Sequence, residues 1–175
     1  MLCLAGGRAA AQRPPAPREY EVKAAYLLNF TRYVEWPALA FASPDAPLVI
    51  GVLGPNPFGP VLERTLAGRT VRGRRIELRL LEAAADVEGC HAVFMAWEEY
   101  RLDPALIERL ARPGLLTVGE REEFVERGGV LGFVLVNQTV RFAVNRGAAE
   151  RAGLRVSSRL LALATAIHER APGTP

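Results

Sequence analysis

The chain predicts an α/β fold: an open, mostly parallel, Rossmann-like sheet flanked by helices, with a C-terminal antiparallel hairpin. Three observations lead there. Short continuous apolar runs recur at Leu48 to Leu53, Ala92 to Ala96 and Leu115 to Val118, the signature of strands buried on both faces. Helical segments stand between them, which is the alternation of an open α/β sheet. Val130 to Val136 and Val140 to Val144 then follow one another across Asn137-Gln138, a spacing that suits a two-residue hairpin turn.

In chain order, Glu19 to Trp36 is the clearest helix. Projected at 100° per residue, Val22, Ala25, Tyr26, Phe30 and Tyr33 share one arc and the charged residues gather opposite or at its edge. Pro37 ends it. Asn29 falls in the middle of the apolar arc. After the strand Leu48 to Leu53, Gly54-Pro-Asn-Pro57 turns the chain into a helix near Phe58 to Ala67, closed by Gly68. Arg75 to Leu80 alternates apolar with charged residues and reads as a strand with one wet face, at or near a sheet edge. Asp103-Pro104 opens a helix to about Ala111, and a brief helix at Glu120 to Glu126 follows the third buried strand. After the hairpin come a short helix at Ala148 to Ala152 and an amphipathic one at Ser158 to Glu169, with His168 and Arg170 near its C-terminal end, where cations favour the helix dipole.

The composition of the 175 residues, 50% hydrophobic and 23% charged, is that of a globular chain. A single domain over residues 18–170 is expected from its length. The net charge of +3 comes from 22 basic against 19 acidic residues spread without a basic block, which argues against a nucleic-acid partner. The longest apolar run, Gly128 to Val136, is much shorter than the roughly 20 residues of a membrane-spanning helix, so no direct membrane insertion is expected. At the N-terminus, Ala9-Ala10-Ala11 before Gln12 fits the small-residue pattern of a signal-peptidase site. The apolar stretch before it, Met1 to Ala5, is shorter than the roughly 7–15 residues such a signal needs. Residues 1–17 are therefore expected to be the remnant of a secretory signal with an extended leader from Arg13 to Pro17; an Ala/Gly-rich N-terminus without that role is the alternative. Residues 171–175 read as a disordered tail.

Chemistry is sparse. Gly51-x-x-Gly54-x-x-x-x-Gly59 stands where a phosphate-binding loop would follow the first strand, but Pro55 and Pro57 delete the N–H groups that would hold a phosphate. Cys90 and His91 are adjacent, so on a strand they point to opposite faces and cannot form a dyad. No two of His91, His168 and Cys90 have ligand spacing on one element. The pairs Glu98-Glu99 and Glu122-Glu123 read as solvated helix faces. No cofactor, metal or enzymatic activity is expected.

Two polar features remain. Asn29 and Arg32 are three apart on the first helix and therefore neighbours on its surface. Asn29 either hydrogen-bonds backbone inside the core or, with Arg32, binds a ligand. Arg155-Val-Ser157-Ser158 precedes the last helix; Ser157 either caps that helix or contributes, with Arg155, to holding a carboxylate or phosphate. Brought together, the four would make a pocket for a small anionic ligand.

The stretch from Lys23 to Pro37 (KAAYLLNFTRYVEWP) resembles the N-terminal helix motif of the YfiR-type periplasmic repressor family. Further matches follow in order: Gly51-Val-Leu-Gly54 with Pro57-Phe58, Gly73-Arg74, Cys90-His91 and Leu116-Thr-Val-Gly119. Then come Phe124 with Gly128-Gly129, Phe142-x-x-Asn145, and Gly153-Leu-x-x-Ser-Ser-x-Leu-Leu161. The resemblance covers Tyr20 to Ala164. It implies a periplasmic, dimeric, non-enzymatic α/β protein that represses the periplasmic sensor region of an inner-membrane diguanylate cyclase, limiting cyclic-di-GMP and biofilm formation. It also implies that Asn29, Arg32, Arg155 and Ser157 correspond to the family's ligand-binding region. The family carries paired cysteines, whereas this chain keeps only Cys90 within the fold, so disulfide-based redox sensing does not carry over with the rest.

Overall fold

The structure is a computed structural model that describes residues 17–103 and 105–169. The expected signal remnant and leader before Pro17, Pro104, Arg170 and the expected tail at 171–175 lie outside the described residues.

Helix α1 (Pro17–Tyr33) opens the domain, with Glu19 in its first turn and Arg32 in its last, an arrangement that complements the helix dipole. Strands β2 (Leu48–Leu53), β4 (Arg74–Leu81), β5 (Ala92–Met95), β6 (Leu116–Glu120), β7 (Leu131–Val136), β8 (Thr139–Asn145) and β10 (Ala166–His168), with the short β3 (Thr70–Val71), form an eight-stranded sheet. Its order is β10-β8-β7-β6-β5-β2-β4-β3. The neighbours β4-β2-β5-β6-β7 pair in parallel, β7 and β8 pair antiparallel, and β10 adds in parallel to β8. All six residues of β2 are buried, as its unbroken apolar run requires of a strand covered on both faces.

One face of the sheet is covered by α1, α2 (Pro60–Leu66), α6 (Arg146–Arg151) and α7 (Ser158–Leu161). There Leu27, Phe30 and Leu62 pack on Ile50, Phe94 and Phe133. The other face is covered by α3 (Trp97–Leu102), α4 (Leu106–Leu110) and α5 (Glu122–Glu126), with Tyr100, Ile107 and Phe124 against Val49, Val93 and Met95. Asn145 joins three elements: its Oδ1 accepts the Ala148 N–H at 2.8 Å, and its Nδ2 donates to the Val125 carbonyl at 2.8 Å. With a partner on both its oxygen and its nitrogen, this buried amide avoids leaving either atom unsatisfied.

The fold class is as expected from sequence, and the structure differs in four details. First, α1 buries Lys23, Ala24, Leu27, Leu28, Phe30 and Thr31, while Val22 is 41% exposed and Ala25 is exposed. The apolar arc is thus rotated from the one projected, because Leu27 and Leu28 face the sheet and the lone lysine finds carboxylates there. Second, the helix stops at Tyr33. Val34–Glu35 (β1) then pairs antiparallel with Arg155–Val156 (β9) in a small separate ribbon.

Third, α3 precedes the segment where one helix was expected, and α4 spans only Leu106–Leu110. Fourth, the last helix does not run from Ser158 to Glu169. It ends at Leu161, and Ala166–His168 becomes β10, so His168 lies opposite Asn145 in the sheet. Helical spacing of Leu160, Leu161, Ala164 and Ile167 permits a longer helix, but β8 would then leave a row of backbone groups unpaired on that side. The Thr165 N–H and hydroxyl both donate to the Phe142 carbonyl, at 2.9 and 3.0 Å, where the new strand begins.

The Asn137-Gln138 turn is as read. Both residues have positive φ, 49° and 62°, the type I′ geometry that matches the twist of a tight hairpin.

Candidate functional site

The chain leaves β2 through α2 toward β4 on one side, then returns through β5 to build the other half of the sheet. The connections after β2 and β5 therefore lie on opposite faces, and a crevice opens between them at the carboxyl ends of the strands. This is where ligands bind in open α/β sheets. The crevice encloses about 580 Å³. Its walls are the Pro55–Gly59 loop after β2, Val61 of α2, Ala96, Glu98 and Glu99 after β5, and Tyr20 and Glu21 from the first turns of α1. The loop is held by Asn56, whose Oδ1 accepts the Phe58 N–H at 3.0 Å and whose Nδ2 donates to the Gly59 carbonyl at 3.2 Å. A line of aromatic contacts ties the crevice to the core: Tyr20 meets Phe58 edge-on at 5.3 Å, and Phe58 meets Phe94 at 4.7 Å.

Beside it lies a second cavity of about 420 Å³, sharing Tyr20 and Glu98. Glu120, at the end of β6, is its hub. The Glu120 Oε1 lies 2.5 Å from Lys23 Nζ and accepts the Tyr20 hydroxyl at 3.0 Å; Oε2 accepts the Trp97 N–H at 2.8 Å. Tyr100 donates its hydroxyl to the Glu120 backbone carbonyl. Lys23 Nζ also lies 2.5 Å from Glu19 Oε1 and 4.5 Å from the Tyr20 ring centre. One buried ammonium thus holds two carboxylates, which leaves the group with one net negative charge. Burial, followed by the charge and hydrogen bond of Glu120, pushes the Tyr20 hydroxyl well above its ordinary range, so it stays a donor.

The residues singled out from sequence lie at the opposite end of α1. Asn29 and Arg32 are 9 and 12 positions beyond Tyr20, and at 1.5 Å per residue Arg32 is about 18 Å along the helix from it. Asn29 is half-buried and Arg32 exposed. Neither side chain makes a hydrogen bond or ion pair among the described residues, so Asn29 is not the backbone-bonded core amide that one reading of the sequence expected. The β1–β9 ribbon lays Arg155 and Ser157 alongside: Glu35 pairs with Arg155 in register, and the Ser157 N–H donates to the Tyr33 carbonyl at 2.9 Å. Ser157 caps α7, its Oγ accepting the Leu160 N–H at 3.2 Å.

Arg155, with its side chain 85% exposed, lies 3.3 Å from Glu35 Oε2, and Arg72 lies 2.9 Å from Oε1. The Arg72 hydrogen bond and charge, then the Arg155 charge, hold the Glu35 carboxyl below its usual value. The fold therefore brings the two pairs of elements together. A cavity of about 210 Å³ is lined by Arg155 with Arg146 and Glu150.

His91, at the start of β5, is a structural residue. Its Nδ1 accepts the Val49 N–H at 3.0 Å, its Nε2 is 3.0 Å from the Ala40 carbonyl oxygen, and its ring stacks on Phe41 at 4.3 Å. These partners define a neutral imidazole protonated on Nε2. Cys90 is a buried free thiol, pushed up from its ordinary pKa by burial.

Sequence reasoning missed Lys23, Glu120 and Tyr20; it read Glu98-Glu99 as a solvated face, and of the two Glu98 is exposed and Glu99 half-buried. One signal was available. Lys23 is the only lysine in the chain, and it is spaced three from Tyr20 and four from Leu27, on the face that packs inward.

The fold and the crevice define a two-faced α/β domain with a ligand-sized opening at its switch point. The chain belongs to the YfiR/HmsC-like family, whose model matches residues 20–165. Among solved structures it is similar in fold to a conserved domain protein from Vibrio cholerae O1 biovar El Tor, with 15% identity and a TM-score of 0.52, over 85% of this chain and 60% of that one. A second, an ABC domain in complex with L-Trp from Streptococcus pneumonia, matches at 12% identity and a TM-score of 0.48, over 69% of this chain and 55% of that one. The chain thus spans less than two thirds of the length of either.

Proposed function

We propose that this chain is a periplasmic, non-enzymatic regulatory protein that binds and represses the sensor region of an inner-membrane diguanylate cyclase. In doing so it lowers cyclic-di-GMP and biofilm formation, and it acts as a homodimer. The observation that carries this reading is the family match over residues 20–165, which supports a periplasmic regulator of a diguanylate cyclase at the level of the family. Among the described residues no helix is long and apolar enough to cross a membrane. The experiment is deletion of the gene with measurement of cellular cyclic-di-GMP, and purification of the tagged protein to recover a membrane cyclase. A rise on deletion, reversed by complementation, is expected; an unchanged level sinks the cyclase role. Light scattering on the purified chain tests the dimer.

A second reading is a periplasmic sensor of a small carboxylate or amino acid, bound by Asn29, Arg32, Arg155 and Ser157. The observation favouring it is the ribbon that lays Arg155 and Ser157 against the end of α1. Calorimetry with amino acids and small anions, comparing wild type with Arg155→Ala, tests it. Heat that disappears in the variant is the expected result, and no heat with any of them removes the reading.

A further inference from the structure

The crevice at the switch point has no part in either reading above, and its chemistry is the reverse of an anion site. Its volume of about 580 Å³ lies within the roughly 300–1,000 Å³ of small-molecule pockets. Tyr20, Phe58, Val61 and the Pro55 and Pro57 rings make an apolar wall, and among the described residues no Lys, Arg or His lines it. The prolines and the two hydrogen bonds of Asn56 hold that wall in place, so little ordering entropy is lost on binding.

The charged groups lining the crevice are carboxylates. Glu99 is half-buried and lies directly over the backbone of Gly54, where a Cβ would collide with its carboxylate. Gly54 has φ +78°, a conformation that glycine adopts without steric cost. Among the described residues, neither the Glu98 nor the Glu99 side chain has a hydrogen-bond or ion-pair partner. The nearest buried cation, Lys23, is already engaged by Glu19 and Glu120. This negative site sits on a chain whose overall charge is +3, so it is a local feature and not a reflection of an acidic protein. Glu98 is exposed and Glu99 half-buried, so an arriving cation can reach both carboxylates and form charge-assisted hydrogen bonds with them.

We propose that this crevice binds a small amphipathic amine: an aromatic or branched-alkyl body seated against Tyr20, Phe58 and Val61, with its protonated amino group on the Glu98 and Glu99 carboxylates. A free carboxylate on the ligand meets no cation among the described lining residues and is rejected. The site is therefore distinct in place and in charge from the Arg155 region at the other end of α1.

Calorimetry on the full chain with 2-phenylethylamine, 3-phenylpropanoate and 2-phenylethanol tests the proposal, since the three share a body and differ in charge. The amine alone should bind saturably, and its affinity should fall with added salt. In Glu99→Gln it should drop about tenfold or more, as expected on losing a hydrogen bond to a charged group. Glu63→Gln, on the exposed side of α2, should change nothing. Amide shifts in the NMR spectrum should move at Gly54, Gly59 and Ala96. No amine binding overturns the proposal, as does equal binding of acid or alcohol, or shifts that centre on Arg155 to Ser157. So does an unchanged amine affinity in a Glu98→Gln/Glu99→Gln variant that unfolds at the wild-type temperature. The three-probe comparison needs only the wild-type chain, so a variant that fails to fold does not rescue it. Absence of amine binding would leave the cyclase reading to its own measurement of cyclic-di-GMP.

Discussion

Replacing Lys23 by Met removes a charge and nearly preserves a shape. The Lys23 side chain is 5% exposed and touches Glu120, 12% exposed, and Glu19, 16% exposed, each at 2.5 Å. Without the ammonium, two carboxylates face each other and Glu120 Oε1 keeps only the Tyr20 hydroxyl. Breaking a buried ion pair from one side costs about 3–5 kcal/mol. The residual exposure of both carboxylates admits water, which places the expected loss near the lower end, about 3 kcal/mol. At about 2–4 °C per kcal/mol for a domain of this size, Tm should fall by about 6–12 °C. Chemical denaturation followed by circular dichroism at pH 7 measures it.

Lys23→Met/Glu120→Gln, which removes both members of the pair, should recover at least half of the loss. A single variant within about 0.5 kcal/mol of wild type would refute the reasoning, since it would show the triad behaving like an exposed pair.

Burial holds the His91 imidazole below its ordinary pKa, so the unfolded chain binds its proton first. The stability this contributes is complete above about pH 6.5 and is lost as pH falls below it; denaturant midpoints between pH 8 and 5 should show a decline that His91→Asn flattens. Phe124 is wedged between Gly119 and Gly129, where an added Cβ would overlap its ring. Gly129→Ala should therefore cost about 1–3 kcal/mol by overpacking, read as a lower Tm. Gln138 pays the left-handed cost in the hairpin turn with φ 62°; Gln138→Gly should raise stability by up to about 1 kcal/mol, and a lower Tm would contradict that turn geometry.

Elements whose own residues decide them were legible in the sequence. Leu48 to Leu53 is a strand because six apolar residues, rich in β-branched ones, bury on either face, and its bounds are those observed. The hairpin closes at Asn137-Gln138 because two strand-forming runs flank it. Ser157 caps a helix, one of the two roles read for it. Other features were illegible because their cause lies elsewhere in the chain. The segment Ala166–His168 is a strand only because β8 offers it an open edge. Val34–Glu35 leaves the helix only because β9 pairs with it. The periodicity of α1 was visible but its rotation was not, since Lys23 turns inward toward Glu120, 97 positions away.

From its amino acids alone the chain determined its layered α/β class, the alternation of strands and helices, and the residue patterns by which it resembles the YfiR-type family. These follow from apolar periodicity, turn chemistry and local order, which act over a few neighbours. Tertiary structure alone decided where charge gathers. It set Tyr20, Glu98 and Glu99 around one crevice and buried the only lysine between two carboxylates. It also laid Arg155 beside Glu35, near the end of α1. The reason is that strand order, and not sequence order, sets which side chains meet at the carboxyl edge of a parallel sheet.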